Sequence, residues 1–312
     1  MNRTATSEAF SGVAVSAETV FLRDEPLARR TTLGVGGPAR YYTEPASTAD
    51  LRNLLREAAR HGIAVFLLGR GSNVIVPDSG FDGLVVRLRH RSWREVAVEN
   101  GDRLRAGAGV RLRELCGEAC RSGLGGLEFL EGIPGTVGGA LRMNAGAMGG
   151  WFFDLVEWVR VMTLTGEEKV CSRDELHFGY RVCRELLDEV ALEAGLRAPR
   201  REERTAIRRR LAEFQEKRTE SQPKESSAGC IFKNPEGDFA GRLIDELGLK
   251  GRRVGDAEVS GVHGNFIVNR GAARADDVLE LIRQLRAEVA RRKDIELEPE
   301  VLLLGAEWRE VL

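Results

Sequence analysis

The chain has 312 residues, which is more than one hydrophobic core usually fills, so two or three lobes are expected. Hydrophobic residues make up 42% and charged residues 30% of the sequence, a globular composition without the signature of extended disorder. The 47 basic and 48 acidic side chains give a formal charge of -1, so no overall field attracts nucleic acid or an anionic membrane. Any bound anion must be held by a local arrangement of groups.

The cysteines are five in number and scattered, which predicts reduced thiols rather than a disulfide framework. Cys116 and Cys120 lie four residues apart on a predicted helix but lack further His or Cys neighbours, so no metal site is expected. The N-terminus has no apolar signal core, and no stretch reaches the ~20 apolar residues of a membrane span. These features predict a cytoplasmic protein that binds neither nucleic acid nor membrane.

The first predicted elements lie before residue 83. Residues 1–20 show no period that could bury a face and are predicted to be a flexible extension without an assigned function. Residues 21–82 are predicted to form a first lobe, in which Ser47 caps a helix and AVFLLG forms a buried strand.

The second predicted lobe covers residues 83–200. It has strand signals in GLVVRL, REVAVEN and RLRAGAGV, and a helix from about Arg111 to Arg121. The segments VEWVRVMTLTG and EVALEAGLRA are further strands, and the second places Val190, Leu192, Ala194 and Leu196 on one face. Strand and helix signals alternate here, which is typical of an α/β lobe.

Residues 201–312 are predicted to form a third, smaller α+β domain. A charged helix in EERTAIRRRLAEFQEKR presents a solvated arginine face. A short helix around Leu243 to Leu247, a strand in GNFIVNR, a longer helix and a final strand in IELEPEVLLL follow. The predicted fold class is therefore α/β and α+β, with two α/β lobes before a smaller α+β domain.

The loop LGRGSN, residues 68–73, follows one apolar strand and precedes another. Gly69 and Gly71 permit positive φ, and Ser72 and Asn73 add polar side chains, so the loop could wrap a phosphate with main-chain N–H groups. It lacks the Gly-Lys-Ser/Thr of a Walker loop and the third glycine and helix of a dinucleotide fingerprint. A tight structural turn remains the alternative.

A second glycine-rich passage covers residues 126–147, GLEFLEGIPGTVGGALRMNAGA. Its apolar side chains Ile133, Val137, Leu141 and Met143 could pack on the faces of a flat ligand while freed N–H groups bond the ligand's edge. An isoalloxazine ring with its pyrophosphate is such a ligand. An ordinary buried loop between strands is the alternative.

Six segments in order resemble the UDP-N-acetylenolpyruvoylglucosamine reductase family. They are TTLGVGGPA (31–39), LGRGSN, EGIPGTVGGALRMNAGA (131–147), FGYR (178–181), SAGCIFKNP (227–235) and LEPEV (297–301). The resemblance implies a two-lobed FAD-binding domain of the vanillyl-alcohol-oxidase/PCMH type and a smaller C-terminal substrate domain. It also implies NADPH as the hydride donor and reduction of an enolpyruvyl UDP-sugar during peptidoglycan precursor synthesis. Some relatives of this class attach FAD through a histidine in the first glycine loop. Here Gly71 is followed by Ser72, so the resemblance implies non-covalent FAD.

The resemblance carries roles to particular residues. Arg181 is expected to hold the substrate carboxylate, Cys230 to donate a proton, and Glu300 to stabilise the enolic intermediate. Whether Glu298 carries part of the role of Glu300 is left open. The expected FAD contacts are Gly69, Arg70, Gly71, Ser72, Asn73, Gly132, Ile133, Gly135, Thr136, Gly138, Gly139, Asn144 and Ala145. The expected substrate contacts are Tyr180, Arg181, Arg218, Lys233 and Asn234.

The chain differs from other members of the family in two respects. The family generally has serine where this chain has Cys230, and a thiol is a stronger acid than an alcohol, so the substitution is expected to work. One branch has a tyrosine on an inserted loop after the Tyr-Arg motif, but the three tyrosines here are Tyr41, Tyr42 and Tyr180. The chain is therefore expected to belong to the branch without that loop.

Without the resemblance, the same side chains have ordinary interpretations. Arg181 would be a surface arginine in an ion pair, Cys230 a small core residue and Glu300 a solvated glutamate. A flavin oxidase or dehydrogenase of the same fold that acts on an alcohol or lactone is the first alternative function. A non-catalytic nucleotide-binding relative is the second. A monomer or a weak homo-oligomer is expected.

Overall fold

The computed structural model describes residues 9–312, and in this range the chain forms seven α-helices and 21 strands. The helices are α1 Thr48–Arg60, α2 Leu112–Arg121, α3 Val137–Arg142, α4 Arg204–Ser221, α5 Ala240–Glu246, α6 Ala275–Lys293 and α7 Trp308–Val311. The strands are β1 Val20–Pro26, β2 Pro38–Glu44, β3 Val65–Leu67, β4 Val74–Ile75, β5 Phe81–Val86, β6 Val96–Glu99, β7 Arg103–Gly107, β8 Leu124–Gly125, β9 Gly146–Ala147, β10 Gly150–Trp151, β11 Val156–Thr163, β12 Glu168–Ser172, β13 Phe178–Gly179, β14 Val182–Cys183, β15 Glu189–Arg197, β16 Arg200–Arg201, β17 Ser227–Cys230, β18 Arg253–Val254, β19 Ala257–Val259, β20 Phe266–Asn269 and β21 Leu302–Leu303.

The chain divides into two compact units. Unit 1 consists of the described part of Met1–Arg23 with Tyr41–Gly69 and Gly83–Glu216, and unit 2 consists of Asp24–Arg40, Arg70–Asp82 and Lys217–Leu312. Two segments from the first quarter of the chain thus group with the C-terminal third. This division cuts across the boundaries predicted at residues 21–82, 83–200 and 201–312, which stay a prediction.

Unit 1 is built on two sheets. The first has the strand order β1-β2-β5-β3, of which unit 1 contains β3 and parts of the other three strands, and the second is antiparallel with the order β12-β11-β15-β7-β6. Helix α1 begins where predicted, because the Ser47 hydroxyl accepts a hydrogen bond from the Asp50 N–H at 3.1 Å. Its apolar stripe is fully buried. The predicted helix from about Arg111 to Arg121 is confirmed as α2.

Strand β15 differs from its predicted alternation. Its pairing with β11 is irregular, since Arg160 pairs with Glu193 whereas Val161 pairs with Ala191. The extra residue in β15 reverses which face the following side chains occupy. Val190 and Leu192 pack in one buried cluster, whereas Ala194 packs in another. The prediction that these residues share one face is therefore wrong.

The N-terminal segment is also different from its prediction. Residues 1–8 lie outside the described part, but Ala9 and Phe10 are buried in a core cluster of unit 1. The Asp50 carboxylate accepts hydrogen bonds from the Ser16 N–H at 3.0 Å and the Thr19 hydroxyl at 2.8 Å. Residues 9–20 are held by these contacts, so the expected flexible extension is corrected for them. Composition did not reveal the anchor because it depends on one aromatic ring and one carboxylate.

Unit 2 has an antiparallel sheet of order β17-β20-β19-β18 and a short parallel pair, β4 with β21. Its core contains Leu33, Val35 and Ile75 beside the apolar stripes of α5 and α6. This shared core explains why the segments at 24–40 and 70–82 group with the C-terminal segment.

The predicted final strand IELEPEVLLL is mostly wrong. Only Leu302–Leu303 is a strand, and before it Pro299 forms an isolated antiparallel bridge with Phe232, flanked by the hydrogen bond from the Glu300 N–H to the Ile231 carbonyl at 2.7 Å. Among residues 9–312, no helix combines the length and apolarity needed to cross a membrane. Within the same range, no group of three or more His, Cys, Asp and Glu side chains is arranged to hold a metal ion.

Candidate functional site

In unit 1, the FGYR segment forms a tight hairpin. Strands β13 and β14 pair through Phe178 with Cys183 and Gly179 with Val182, so Tyr180 and Arg181 alone make the turn. Arg181 has φ 60, in the left-handed region that non-glycine residues seldom occupy. Such backbone strain persists only where surrounding contacts impose it, and it is frequent at functional positions.

The base of this hairpin is strongly held. The Phe153 and Phe178 rings stack with centroids 4.2 Å apart, and Glu185 bonds the His177 N–H at 3.0 Å and its Nδ1 at 2.6 Å. Burial acts to raise the pKa of Glu185, but the hydrogen bonds from His177 outweigh it and hold the pKa at about 2. Burial raises the pKa of the Cys183 thiol to about 12, so this thiol stays protonated. At neutral pH the Glu185 carboxylate is therefore ionised and the Cys183 thiol is neutral.

Asn144 connects this hairpin to the second glycine-rich passage. Its Nδ2 donates to the Gly179 carbonyl at 3.1 Å, and its Oδ1 accepts from the Phe153 N–H at 3.2 Å. The side chain is only 6% exposed, and the residue has φ 36. These bonds fix the main chain beside Arg181, and the predicted contact of Asn144 with FAD stays a prediction.

The second glycine-rich passage is more ordered than predicted. It contains helix α3, which begins where the Thr136 hydroxyl accepts from the Gly139 N–H at 3.3 Å. The N–H groups of Gly135, Gly138 and Ala145 also bond to protein carbonyls. The expectation of freed N–H groups at these positions is therefore corrected: the main chain of the passage is used to build the helix and its flanks.

The apolar side chains of this passage divide into two pairs. Val137 and Leu141 are completely buried in the core of unit 1, so the expectation that they face a flat ligand is wrong. Ile133 and Met143 are only partly buried. Helical periodicity explains the difference, since residues 137 and 141 lie one turn apart on the same side of α3.

In unit 2, the loop of Arg70, Gly71 and Ser72 has the features of an anion site. Among the residues that the structure describes, none accepts a hydrogen bond from the main-chain N–H groups of these three residues. Gly71 is buried with φ 71, and a Cβ there would lie 2.5 Å from the Arg30 carbonyl oxygen. Only glycine fits there, and three consecutive main-chain N–H donors without a protein acceptor are suited to bonding phosphate oxygens.

Thr32 fastens this loop to the strand that carries Cys230. Its N–H donates to the Gly71 carbonyl at 2.9 Å, and its hydroxyl donates to the Ser227 carbonyl at 2.7 Å while lying 3.1 Å from the Gly71 carbonyl. Asn73 makes a second link, since its Nδ2 donates to the Glu300 carbonyl at 3.3 Å. Asn73 was predicted to contact FAD, and at least part of its side chain serves this internal link.

Cys230 ends strand β17 in a constrained position. A bulge precedes it, where Gly229 has φ 78, and Cys230 itself pairs with Phe266 and is partly buried. Asn265 then mimics a neighbouring strand: its Oδ1 accepts from the Phe232 N–H at 2.9 Å and its Nδ2 donates to the Phe232 carbonyl at 2.8 Å. The thiol is thus carried on main chain that is fixed on both sides.

Glu298 and Glu300 occupy different environments, which sequence alone did not separate. The Glu298 carboxylate is exposed and pairs with the Lys233 ammonium at 2.9 Å. Glu300 is partly buried, and its N–H bonds to the carbonyl of Ile231, the residue after Cys230. The main chains of Cys230 and Glu300 therefore adjoin, whereas Glu298 is engaged in a surface ion pair.

The remaining predicted substrate residues have structural contacts as well. The Asn234 Oδ1 accepts from the Ala240 N–H at 3.2 Å and so helps to hold the start of α5. Arg218 lies on α4 and is partly buried. Tyr180 is 45% exposed beside Arg181. No structural observation yet assigns any of them to a ligand.

Two residues that position the candidate site were not predicted. Thr32 lies within TTLGVGGPA, a segment that carried the resemblance without an assigned role. Asn265 precedes the strand FIVN, and an asparagine in that place gave the only hint of a side chain that bonds main-chain groups.

Comparison with known proteins supplies the class and then the family. A family model described as an FAD binding domain matches residues 39–172, which places the chain among FAD-binding proteins. A model described as UDP-N-acetylenolpyruvoylglucosamine reductase, C-terminal domain, matches residues 222–304. The expected fold class, an FAD-binding domain followed by a smaller α+β domain, is confirmed by these matches.

Individual relatives agree over nearly the whole chain. UDP-N-acetylenolpyruvoylglucosamine reductase 2 of Symbiobacterium thermophilum is 45% identical over 285 residues, which cover 91% of this chain and 92% of that protein. The reductase of Geobacter metallireducens is 45% identical over 92% of this chain and 94% of its own length. The crystal structure of the reductase from Thermus caldophilus has a TM-score of 0.78 at 40% identity and covers 92% of this chain and 99% of that one. The chain belongs to the UDP-N-acetylenolpyruvoylglucosamine reductase family.

The role of Asn144 is tested by the variant Asn144→Asp. The carboxylate keeps an acceptor for the Phe153 N–H but replaces the donor to the Gly179 carbonyl with a repelling oxygen. We expect the free energy of unfolding to fall by about 1–3 kcal/mol, measured by urea denaturation. Asn53→Asp is the matched control, because its Nδ2 also donates to a carbonyl, that of Ala14, at the surface. Equal stability of Asn144→Asp and wild type would contradict the assignment.

Proposed function

We propose that the chain is a UDP-N-acetylmuramate dehydrogenase, which reduces UDP-N-acetylglucosamine enolpyruvate to UDP-N-acetylmuramate with NADPH and FAD. The proposal is supported by family membership over nine-tenths of the chain. The structural observation that carries it is one hydrogen-bond network in unit 2, which joins the loop at Gly71, the strand with Cys230 and the segment with Glu300. The product is a precursor of peptidoglycan.

The chain's residues fit FAD at the loop Arg70–Ser72. The diphosphate needs several donors in a concave arrangement, and this loop offers three consecutive main-chain N–H groups. Ile133 and Met143 are partly buried apolar side chains of the second passage, and we assign them to the planar ring. Bound FAD supplies hydride transfer from NADPH to the enolpyruvyl carbon. The remaining predicted FAD contacts stay predictions; they are Gly69, Asn73, Gly132, Gly135, Thr136, Gly138, Gly139, Asn144 and Ala145.

Arg181 is assigned to the substrate carboxylate. When hydride adds to the enolpyruvyl group, negative charge develops beside a group that is already anionic. A guanidinium stays protonated at any relevant pH and can bond both carboxylate oxygens, so it lowers the energy of that charge. The strained turn that holds Arg181 gives its side chain a defined starting point.

Cys230 is assigned to the final proton transfer. The carbanion-like carbon needs one proton, and the Cys230 thiol gives up its hydrogen to that carbon and becomes a thiolate, which solvent reprotonates. Glu300 is assigned to the enolic oxygen, where a protonated carboxyl can donate a hydrogen bond. Its main-chain bond to Ile231 keeps it beside the segment that carries the thiol. Glu298 is left out of this role in our proposal, because its carboxylate is exposed to solvent.

The finer assignments rest on the resemblance. Tyr180, Arg218, Lys233 and Asn234 are proposed to contact the UDP-sugar, although Lys233 must exchange its ion pair with Glu298 for a phosphate. A cytoplasmic location, a monomeric or weakly associated state and membership of the branch without the tyrosine loop also belong to the proposal. A flavin oxidase that acts on an alcohol or lactone has no need for an arginine, a thiol and a carboxyl acting together.

The phosphate loop is tested by Gly71→Ala. The new Cβ would meet the Arg30 carbonyl at 2.5 Å and would require a left-handed alanine, so we expect FAD affinity to fall roughly tenfold or more. The measurement is the flavin absorbance retained after gel filtration and titration. Gly248→Ala is the matched control, since Gly248 has φ 70 in the same unit but open space at its Cβ. If both variants retained FAD equally, the loop would not be the diphosphate site.

The proton donor is tested by Cys230→Ala. We expect reduction of the flavin by NADPH to proceed at the wild-type rate, whereas reoxidation by the enolpyruvyl UDP-sugar slows by about 10²–10⁴-fold, because only the second half-reaction needs the acid. Stopped-flow absorbance separates the two steps. Cys230→Ser should recover part of the loss, and Cys120→Ala, a thiol buried in α2, should change neither step. Reoxidation of Cys230→Ala at the wild-type rate would remove Cys230 from the mechanism.

A further inference from the structure

Trp151 lies directly against the main chain that leads to the candidate site in unit 1. It pairs with Gly146 in the short hairpin of β9 and β10, and its N–H bonds to the Asp154 carboxylate at 3.0 Å. A Cβ on Gly146 would overlap the Trp151 ring. The residue is therefore fixed by strand pairing and by the Asp154 carboxylate on its main-chain N–H, and its indole ring packs on Gly146.

The Arg181 guanidinium lies over this fixed ring. Its Cζ is 5.5 Å from the centroid of the Trp151 ring and 5.1 Å from that of Tyr180, within the range of cation–π attraction. The two rings meet edge to face, with centroids 5.7 Å apart and planes at 72°. The Arg181 Nη1 also makes a long hydrogen bond of 3.5 Å to the Gly146 carbonyl. One pair of residues, Gly146 and Trp151, thus contacts the guanidinium through both an oxygen and a π face.

These contacts address a particular problem of a carboxylate-binding arginine. The side chain has several rotatable bonds, and ordering them when a ligand binds costs about 2 kcal/mol of rotamer entropy. A guanidinium that is already confined loses less of this freedom on binding. Stacking on a ring also leaves the edge of the guanidinium, where its N–H donors point, available for a carboxylate.

We propose that Trp151 is a positioning residue for Arg181, which confines the guanidinium through its indole face so that it can bind the substrate carboxylate. The proposal rests on the function proposed above for Arg181. The competing explanation is an ordinary structural role, in which the Trp151 ring only stabilises the β9–β10 hairpin by packing. Only the positioning role predicts that phenylalanine, which keeps a π face, restores the KM that leucine impairs.

The test compares Trp151→Leu with Trp151→Phe in the FAD-loaded enzyme. Leucine fills space without a π face, so we expect KM for the enolpyruvyl UDP-sugar to rise about tenfold, which corresponds to about 1.4 kcal/mol. Flavin reduction by NADPH should stay within about twofold of wild type, and phenylalanine should restore most of the KM. Trp158→Leu is the matched control, because the Trp158 ring likewise covers a glycine, Gly195, in the central sheet of unit 1. It should lower the melting temperature without the change in KM.

A double-mutant cycle tests the contact independently of turnover. Thermal unfolding of Trp151→Leu, Arg181→Met and the double variant should show a favourable coupling between the two side chains. Zero coupling, an unchanged KM in Trp151→Leu, or equal impairment of both half-reactions would each overturn the positioning role. Equal KM values for Trp151→Leu and Trp151→Phe would do the same. If the wild-type flavin failed to reoxidise with the UDP-sugar, the proposed function would fail, and the cycle would still decide the contact.

Discussion

The arrangement of unit 2 depends on the hydrogen bonds of Thr32. Its N–H bonds to the Gly71 carbonyl and its hydroxyl to the Ser227 carbonyl, and the Thr32–Ser227 bond joins residues 195 positions apart in the chain. Gly71 can accept this contact only because it has no Cβ. The same loop continues through Asn73 to the segment of Glu300, so the proposed phosphate site, acid and carboxyl are parts of one hydrogen-bonded assembly. Displacement of any one segment would disturb the other two.

Unit 1 contributes a different kind of constraint. Arg181 lies in a two-residue turn with an unfavourable φ angle. Packing around the hairpin offsets this backbone strain. The contacts are the Phe153–Phe178 stack, the Glu185–His177 hydrogen bonds and the two hydrogen bonds of Asn144. Strain of this kind is maintained where a side chain must point in one direction. The residues of the glycine-rich passage thus act mainly by building a rigid support, and fewer of them are free to touch a ligand than their composition suggested.

The sequence was informative where a signal was local or where several segments matched a family in order. Ser47 predicted the start of α1, and the six ordered segments predicted the family and fold class, both confirmed by the comparisons. Prediction from the sequence failed where a single residue changes the local backbone structure. The extra residue in β15 reversed a face, and Phe10 anchored a segment that looked unstructured. The positioning roles of Thr32, Asn144 and Asn265 depend on partners that are distant in sequence, so no local pattern could reveal them. The separation of Glu298 from Glu300 likewise required the position of Lys233.

The central claim is that the chain carries hydride from NADPH to an enolpyruvyl UDP-sugar through bound FAD. The most direct measurement is the flavin absorbance of the purified wild-type protein, followed anaerobically through one turnover. The account predicts a yellow protein that bleaches with NADPH and regains its colour only when UDP-N-acetylglucosamine enolpyruvate is added, with one equivalent of reduced product per flavin. A colourless protein that cannot be reconstituted with FAD, or a bleached flavin that the UDP-sugar leaves reduced, would contradict it.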